Sequence, residues 1–270
     1  MKNEDDRYLQ TATAAAKEAG RIQMLHFGHS HPVKYKGEFN PVTEVDRISE
    51  QAIVKEISNA FPGHDILTEE SPFEGKGSPW RWIIDPLDGT TNYLHGYPCF
   101  CVSIGLEVEG GVEMGVVYVP PLDELFHAEK GRGAFLNGKR IAVSRVDRLH
   151  RSLLCTGFPY DVHEHADFYL RYFRQFITKS FAIRRPGSAA IDLSYLAAGR
   201  FDGFWEFKLH AWDVAAASLL ITEAGGKVTD LQGGPFNIYS EVILASNGLV
   251  HEEMIQTIQE LHAGDEKRVE

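Results

Sequence analysis

The chain has 270 residues, 43% of them apolar, which is enough to bury a substantial core as one large domain or two closely packed halves. Its 27 basic against 38 acidic side chains leave a net charge of −11, which argues against nucleic acid or an anionic membrane as the main partner. A phosphorylated substrate would then need local cations, and divalent metals are the economical source.

The start, Met1-Lys2-Asn3-Glu4-Asp5-Asp6, is polar and acidic, so no signal peptide is expected, and no apolar run is long enough to span a bilayer. From about Asp6 to Phe27, Leu9, Ala12, Ala16, Ala19, Ile22 and Leu25 recur three or four residues apart, an amphipathic helix stopped near Gly28. His26, His29 and His31 follow as a solvated helix end rather than a metal cluster. A polar connection leads to Thr43, which with Asp46 resembles a capping box ahead of a helix through Val45, Ile48, Ala52, Ile53, Ile57 and Phe61, ended by Pro62-Gly63. Capping alone would account for Asp46. Asp65–Thr68 then reads as a short strand that delivers Glu69-Glu70-Ser71 at its end.

Next comes Trp80-Arg81-Trp82-Ile83-Ile84-Asp85-Pro86-Leu87-Asp88-Gly89-Thr90-Thr91-Asn92, an apolar run that stops on an acid. Trp82, Ile83 and Ile84 suit a buried strand that Pro86 cannot continue, which puts Asp85 at the mouth of a sheet and Asp88 in a tight turn. Two carboxylates so close are costly unless a proton or a metal compensates them. Gly89, Thr90 and Thr91 can present free backbone N–H groups at a helix start, which suits phosphate. The same residues are also ordinary turn chemistry, and the spacing is not that of an EF-hand.

An antiparallel meander follows. Residues 100–108 alternate apolar and polar, a strand with one apolar row, and Glu109-Gly110-Gly111 turns the chain into Val112–Val119. Pro120-Pro121 breaks that strand and Glu124–Glu129 continues. Asn137-Gly138 predicts a hairpin between Ala134–Leu136 and Ile141–Val143. Cys99 and Cys101 are read as core packing rather than a zinc or redox pair, and with Cys155 they are an odd, sparse set, so with no signal peptide a cytoplasmic protein is expected. The second half alternates: strand Leu153–Thr156, helix Asp161–Lys179, strand Phe181–Arg185, helix Ser188–Ala198, strand Phe201–Phe207, helix Asp213–Ala224, strands at Val228-Thr229 and Val242–Ser246, and a last helix Leu249–Leu261. The expected organisation is an α+β half over residues 1–147, an α/β half over 148–262 and a flexible tail over 263–270. Asp213 reads most simply as an N-cap. Yet Asp46, Thr90, Ser188 and Asp213 all fall at predicted helix starts, and several such N-termini in one crevice would favour phosphate.

The chain resembles the inositol monophosphatases, within the magnesium-dependent, lithium-sensitive sugar-phosphatase superfamily. Three blocks carry the resemblance: Glu69-Glu70-Ser71, the stretch from Trp82 to Asn92, and Trp212-Asp213-Val214-Ala215-Ala216 leading to Glu223-Ala224-Gly225-Gly226. It implies a layered αβαβα sandwich, usually a homodimer, in an enzyme that uses two or three Mg²⁺ ions on a small phosphorylated polyol or sugar. Carried over residue by residue, Glu69, Asp85, Asp88 and Asp213 match the metal-ligand carboxylates, with the Leu87 carbonyl as a further ligand. Asp46 and Thr90 match the pair that orients the attacking water, with Glu69 beside them in the catalytic set. The amides of Gly89 and Thr90 match the phosphate cradle. Gly187, Ser188, Ala189 and Glu206 fall where the family contacts the substrate's ring, with Arg184 or Arg185 nearby. Two departures stand out: many relatives have Asp in place of Asn40 and Gly in place of Thr68, and Thr68 bears on how the glutamates are presented.

The resemblance implies a phosphomonoesterase acting on myo-inositol monophosphates. Within the superfamily the alternatives are fructose-1,6-bisphosphatase and 3′-phosphoadenosine-5′-phosphate phosphatase, for which Arg184, Arg185 and Lys208 are candidate extra contacts. A non-catalytic binding protein that kept the fold is the alternative of another class.

Overall fold

A computed structural model describes residues 2–29, 33–35 and 41–266; His31 and Asn40 lie outside the described residues. The elements run α1 (Lys2–His26), β1 (Val33–Tyr35), β2 (Pro41–Thr43), α2 (Glu44–Ala60), β3 (Asp65–Thr68), β4 (Trp80–Asp88), α3 (Thr90–Leu94), β5 (Cys101–Val108), β6 (Gly111–Val119), β7 (Glu124–Glu129), β8 (Gly133–Leu136) and β9 (Lys139–Arg140). They continue β10 (Leu153–Thr156), α4 (Val162–Ile177), β11 (Ala182–Arg184), α5 (Ala189–Ala197), β12 (Gly203–Phe207), α6 (Ala211–Glu223), β13 (Lys227–Thr229), β14 (Val242–Ser246) and α7 (His251–Glu266).

These elements stack as helix, sheet, helix, sheet, helix, the layered sandwich that the sequence led us to expect. A seven-stranded sheet has the order β3-β4-β5-β6-β7-β8-β9, and a five-stranded sheet the order β11-β10-β12-β14-β13. Alternation along β4 shows how the layers form. Trp82 and Ile84 pack with Ala12, Ala16 and Ala19 of α1 and Ile53 and Ile57 of α2. Ile83, on the opposite face, packs with the α5 and α6 residues that fill the space between the sheets. The far face of the smaller sheet is covered by α4 and α7 through Tyr169, Tyr172, Phe176 and Met254. No helix of the described residues is long and apolar enough to cross a membrane.

Several local expectations are corrected. Strand β4 does not stop at Pro86; it runs to Asp88, with Asp85 opposite Ser103 and Asp88 opposite Cys101, so the extra residue forms a bulge. The missing N–H of Pro86 falls in that bulge, where no ladder bond is lost. Strand β5 does not have a single apolar row, because its first seven residues are all buried. Its second face, with Ser103 and Gly105, lies under α6. The Asn137-Gly138 turn is present, with both residues at positive φ, but its second strand is Lys139–Arg140. The Ile141 N–H still donates to Ala134 O of β8 at 2.9 Å, after which the chain leaves the sheet and the Val143 N–H donates to Ala224 O at the end of α6. A β1–β2 ribbon stands where a polar connection was expected, and α7 continues to Glu266, into the segment read as a tail.

Helix α6 sits unusually close to the larger sheet. Gly105 and Gly115 are cross-strand partners beneath it. A Cβ on Gly115 would lie 2.6 Å from the Ala216 carbonyl oxygen, and one on Gly105 3.0 Å from the Ala215 Cβ. The two glycines therefore set the height of the helix that carries Asp213. We expect Gly115→Ala to cost about 1–3 kcal/mol of stability, the usual penalty of overpacking, as measured by urea unfolding. An unchanged midpoint would mean that α6 can ride higher without loss.

Candidate active site

Four helix starts, of α3, α4, α5 and α6, and the end of β4 meet in one cavity of about 510 Å³. Its wall includes Glu69, Asp85, Leu87, Asp88, Gly89, Thr90, Gly187, Ser188, Ala189, Glu206 and Asp213, so every expected site residue except Asp46 lines it. Asp46 is 1% exposed and reaches the site through Thr90, whose hydroxyl donates to Asp46 Oδ1 at 2.9 Å and approaches Leu87 O at 3.1 Å. The capping box at the start of α2 holds Asp46 in place: the Thr43 N–H donates to its Oδ2 at 2.8 Å, and the Thr43 hydroxyl accepts from Val45 N–H. Capping and site duty are thus the same geometry.

Asp213 is arranged alike. It is the third residue of α6 rather than its N-cap, and its Oδ2 accepts the His210 N–H at 2.6 Å, which leaves the other oxygen for the cavity. Asp85 Oδ1 accepts the Leu87 N–H at 2.9 Å inside the bulge. Asp88 Oδ2 accepts from the Ser188 hydroxyl at 2.6 Å and from Ala190 N–H at 2.8 Å, both at the start of α5. Ser188 therefore orients an acid as well as lining the cavity. Gly89 adopts φ +97°, and a Cβ there would lie 2.7 Å from the Cys99 carbonyl, so the turn that opens α3 requires glycine. Asn92 ties that helix to the next wall, its amide donating to Cys99 O and Pro186 O.

Ligand oxygens of Asp85, Asp88 and Asp213 lie within 4.8 Å of one another. Burial and mutual repulsion, with Glu69 contributing, hold Asp85 and Asp213 well above the usual carboxylate range. Asp88 is pushed up to about 6, by burial against the opposing pull of Ser188 and Ala190. Hard oxygen donors gathered under this repulsion suit a divalent cation, which would replace the protons the acids otherwise hold. Glu69 follows β3 on the same wall, its N–H donating to Ile84 O at 3.2 Å. Thr68, one of the two departures, accepts the Ser71 N–H at 3.3 Å and so closes the glutamate turn.

Glu206 is buried, its pKa raised to about 8 chiefly by desolvation, with Arg185 opposing and Asp88 adding to the rise. Of the cations considered from sequence, Arg185 and Lys208 line the cavity. Lys208 is already paired with Asp161, and Arg184 is exposed and donates to Ile183 O. Asp192 was missed. It lines the cavity at 1% exposure, with Oδ1 lacking a hydrogen-bond partner among the described residues. Its signal was the one charged residue in a mostly apolar helix, one turn after Ser188.

The family model described as the inositol monophosphatase family matches residues 4–263. The "Nus factor SuhB" of Pseudomonas aeruginosa is 43% identical over 258 residues, 93% of this chain and 95% of that protein. The "Fructose-1,6-bisphosphatase/inositol-1-monophosphatase" of Aquifex aeolicus is 40% identical over 252 residues, covering 93% and 94%. The solved structure of an inositol monophosphatase from Anabaena superposes with a TM-score of 0.87 at 41% identity, covering 95% of this chain and 97% of that one.

The raised Glu206 pKa makes the cation-free fold pH-sensitive. Folded Glu206 keeps its proton up to about pH 8, whereas the unfolded chain releases it near 4.5, so stability is full below that lower value and falls as pH rises through 8. Asp85, Asp88 and Asp213 act in the same direction. In metal-free protein, Glu206→Gln should therefore flatten the fall in urea midpoint between pH 5 and pH 8. An equally steep fall in the variant would show that Glu206 is ionised in the fold.

Proposed function

The chain belongs to the inositol monophosphatase family, and on that premise we propose that it is a Mg²⁺-dependent phosphomonoesterase that hydrolyses a myo-inositol monophosphate to inositol and phosphate. The observation that carries the reading is the buried meeting of Asp85, Asp88 and Asp213 beside the Asp46–Thr90 pair. Phosphatase chemistry on phosphorylated sugars or polyols is the family's common ground; the inositol substrate and the roles below are our assignment.

Glu69, Asp85 and the Leu87 carbonyl would hold one Mg²⁺, and Asp85, Asp88 and Asp213 a second, with room for two or three ions in all. Bound Mg²⁺ supplies Lewis acidity toward phosphoryl and leaving-group oxygens and acidifies water. The protein's own part is alignment. Thr90 donates its hydroxyl hydrogen bond to Asp46, so its oxygen lone pairs can accept from a water aimed at phosphorus. The amides of Gly89 and Thr90 hold the phosphate oxygens. Gly187, Ser188, Ala189 and Glu206 meet the hydroxyls of the substrate ring, and Glu206, whose pKa burial raises to about 8 in the cation-free fold, can donate when protonated and accept when not. No covalent phosphoenzyme is needed, because the acids are spent on cations and the Asp85 to Asp88 spacing differs from Asp-x-Asp.

A homodimer is part of the proposal, supported by the exposed apolar side chains of Ile177 and Phe181 beside β11, an edge strand of the smaller sheet. Cytoplasmic location and lithium sensitivity belong to the same reading. A bisphosphate substrate is the second reading, favoured by Arg185 on the cavity wall and in keeping with the name of the Aquifex relative.

Two experiments test these assignments. Asp85→Asn should abolish Mg²⁺-dependent phosphate release, to below about 1% of wild type, while circular dichroism shows the fold intact; retained activity would sink the two-ion assignment. A panel of inositol 1-phosphate, fructose 1,6-bisphosphate, 3′,5′-adenosine bisphosphate and 2-glycerophosphate, with and without Li⁺, decides the substrate. Fast, lithium-inhibited turnover of inositol 1-phosphate is the expected result, and Arg185→Ala should spare it while weakening turnover of either bisphosphate. Silence across the panel by protein that binds Mg²⁺ would favour a non-catalytic binding protein.

A further inference from the structure

Glu50 lies one helical turn beyond Asp46 on α2 and is 5% exposed. Both of its carboxylate oxygens are taken by the turn that follows β3. Oε2 accepts the Glu70 N–H at 3.0 Å, and Oε1 accepts from the Ser71 hydroxyl. The peptide units on either side of Glu69 are therefore fixed by different elements: the Glu69 N–H is held by Ile84 of β4, and the next N–H by α2. Thr68 adds a third restraint through the Ser71 N–H.

Such an arrangement is hard to explain as surface chemistry. A buried carboxylate is costly unless it is hydrogen-bonded, and it is tolerated here because its hydrogen bonds are charge-assisted and directed. Positions four apart on a helix lie on one face, so Asp46 and Glu50 look toward the same region. One rigid turn of α2 thus spans the distance between the Asp46–Thr90 pair and the turn that presents Glu69.

We propose that Glu50 is a positioning residue for the cation site, clamping the Glu69 turn onto the same helix that carries Asp46. The proposal rests on the assignment of Glu69 as a cation ligand. Glu50 touches neither cation nor substrate. It sets where the Glu69 carboxylate stands relative to Asp85, and it keeps that carboxylate in register with the pair that aims the water.

The test measures Mn²⁺ binding, by calorimetry and by electron paramagnetic resonance of the free ion, in wild type, Glu50→Ala, Glu50→Gln, Ser71→Ala and Glu69→Ala. Urea unfolding of the metal-free proteins is followed in parallel. Loss of a group hydrogen-bonded behind a metal ligand commonly weakens metal affinity about 10- to 100-fold, and that is the expected effect of Glu50→Ala. Ser71→Ala, which removes one bond, should weaken Mn²⁺ about fivefold. Glu50→Gln keeps one acceptor and should fall between them. In turnover, the Mg²⁺ concentration for half-maximal rate should rise more than the saturated rate falls. Should Glu50→Ala fail to fold, Ser71→Ala and Glu50→Gln decide. Mn²⁺ affinity within twofold of wild type in the folded variants, even with a lowered urea midpoint, would overturn the proposal and leave Glu50 a purely structural anchor. Equal binding by wild type and Glu69→Ala would instead remove the ligand assignment on which it rests.

Discussion

Like-charge repulsion inside a closed space is the constraint on which this structure turns. Asp85, Asp88 and Asp213 are brought together by covalent and packing forces that have nothing to do with charge: a bulge in β4, the start of α5 and the start of α6. Each acid is then restrained by backbone or hydroxyl donors on one oxygen, so that repulsion cannot rotate it away. The result is stored electrostatic energy that protons relieve partly and a divalent cation relieves better.

That seating links fold to site. Helix α6 is buried on nearly every side, and the paired Gly105 and Gly115 remove the side chains that would lift it from the larger sheet. Its first turn faces the cavity and its body fills the gap between the layers, so the position of Asp213 is decided by packing many ångströms from the chemistry. Asp46 and Asp213 share one device, an acid at the third helical position whose carboxylate accepts the N-cap N–H. One oxygen secures the helix start while the other faces the site, where that of Asp46 accepts from the Thr90 hydroxyl.

Much of this was legible in the sequence. The block from Asp85 to Thr90, the capping pair Thr43 and Asp46, and the glycine that opens α3 are local features, fixed by turn and cap chemistry that a short window contains. The layered architecture was legible through periodicity and resemblance together. What escaped was set by tertiary partners. The bulge that carries β4 past Pro86 depends on the register of β5, and the double burial of β5 depends on α6 lying over its small residues. Asp192 and Glu50 drew no reading from the sequence, because nothing in their local windows shows what either would face. Only the approach of β12 and of the turn after β3 gives them neighbours that matter.

The cluster of acids also has an order in time. Asp85 and Asp88 come from β4, whereas Asp213 stands well over a hundred residues later, at the head of a helix that settles only when both sheets can enclose it. During synthesis the earlier acids emerge long before the later one, as two solvated charges on a strand whose inner face is still uncovered. A pocket holding all three acids therefore exists only where both layers are in place.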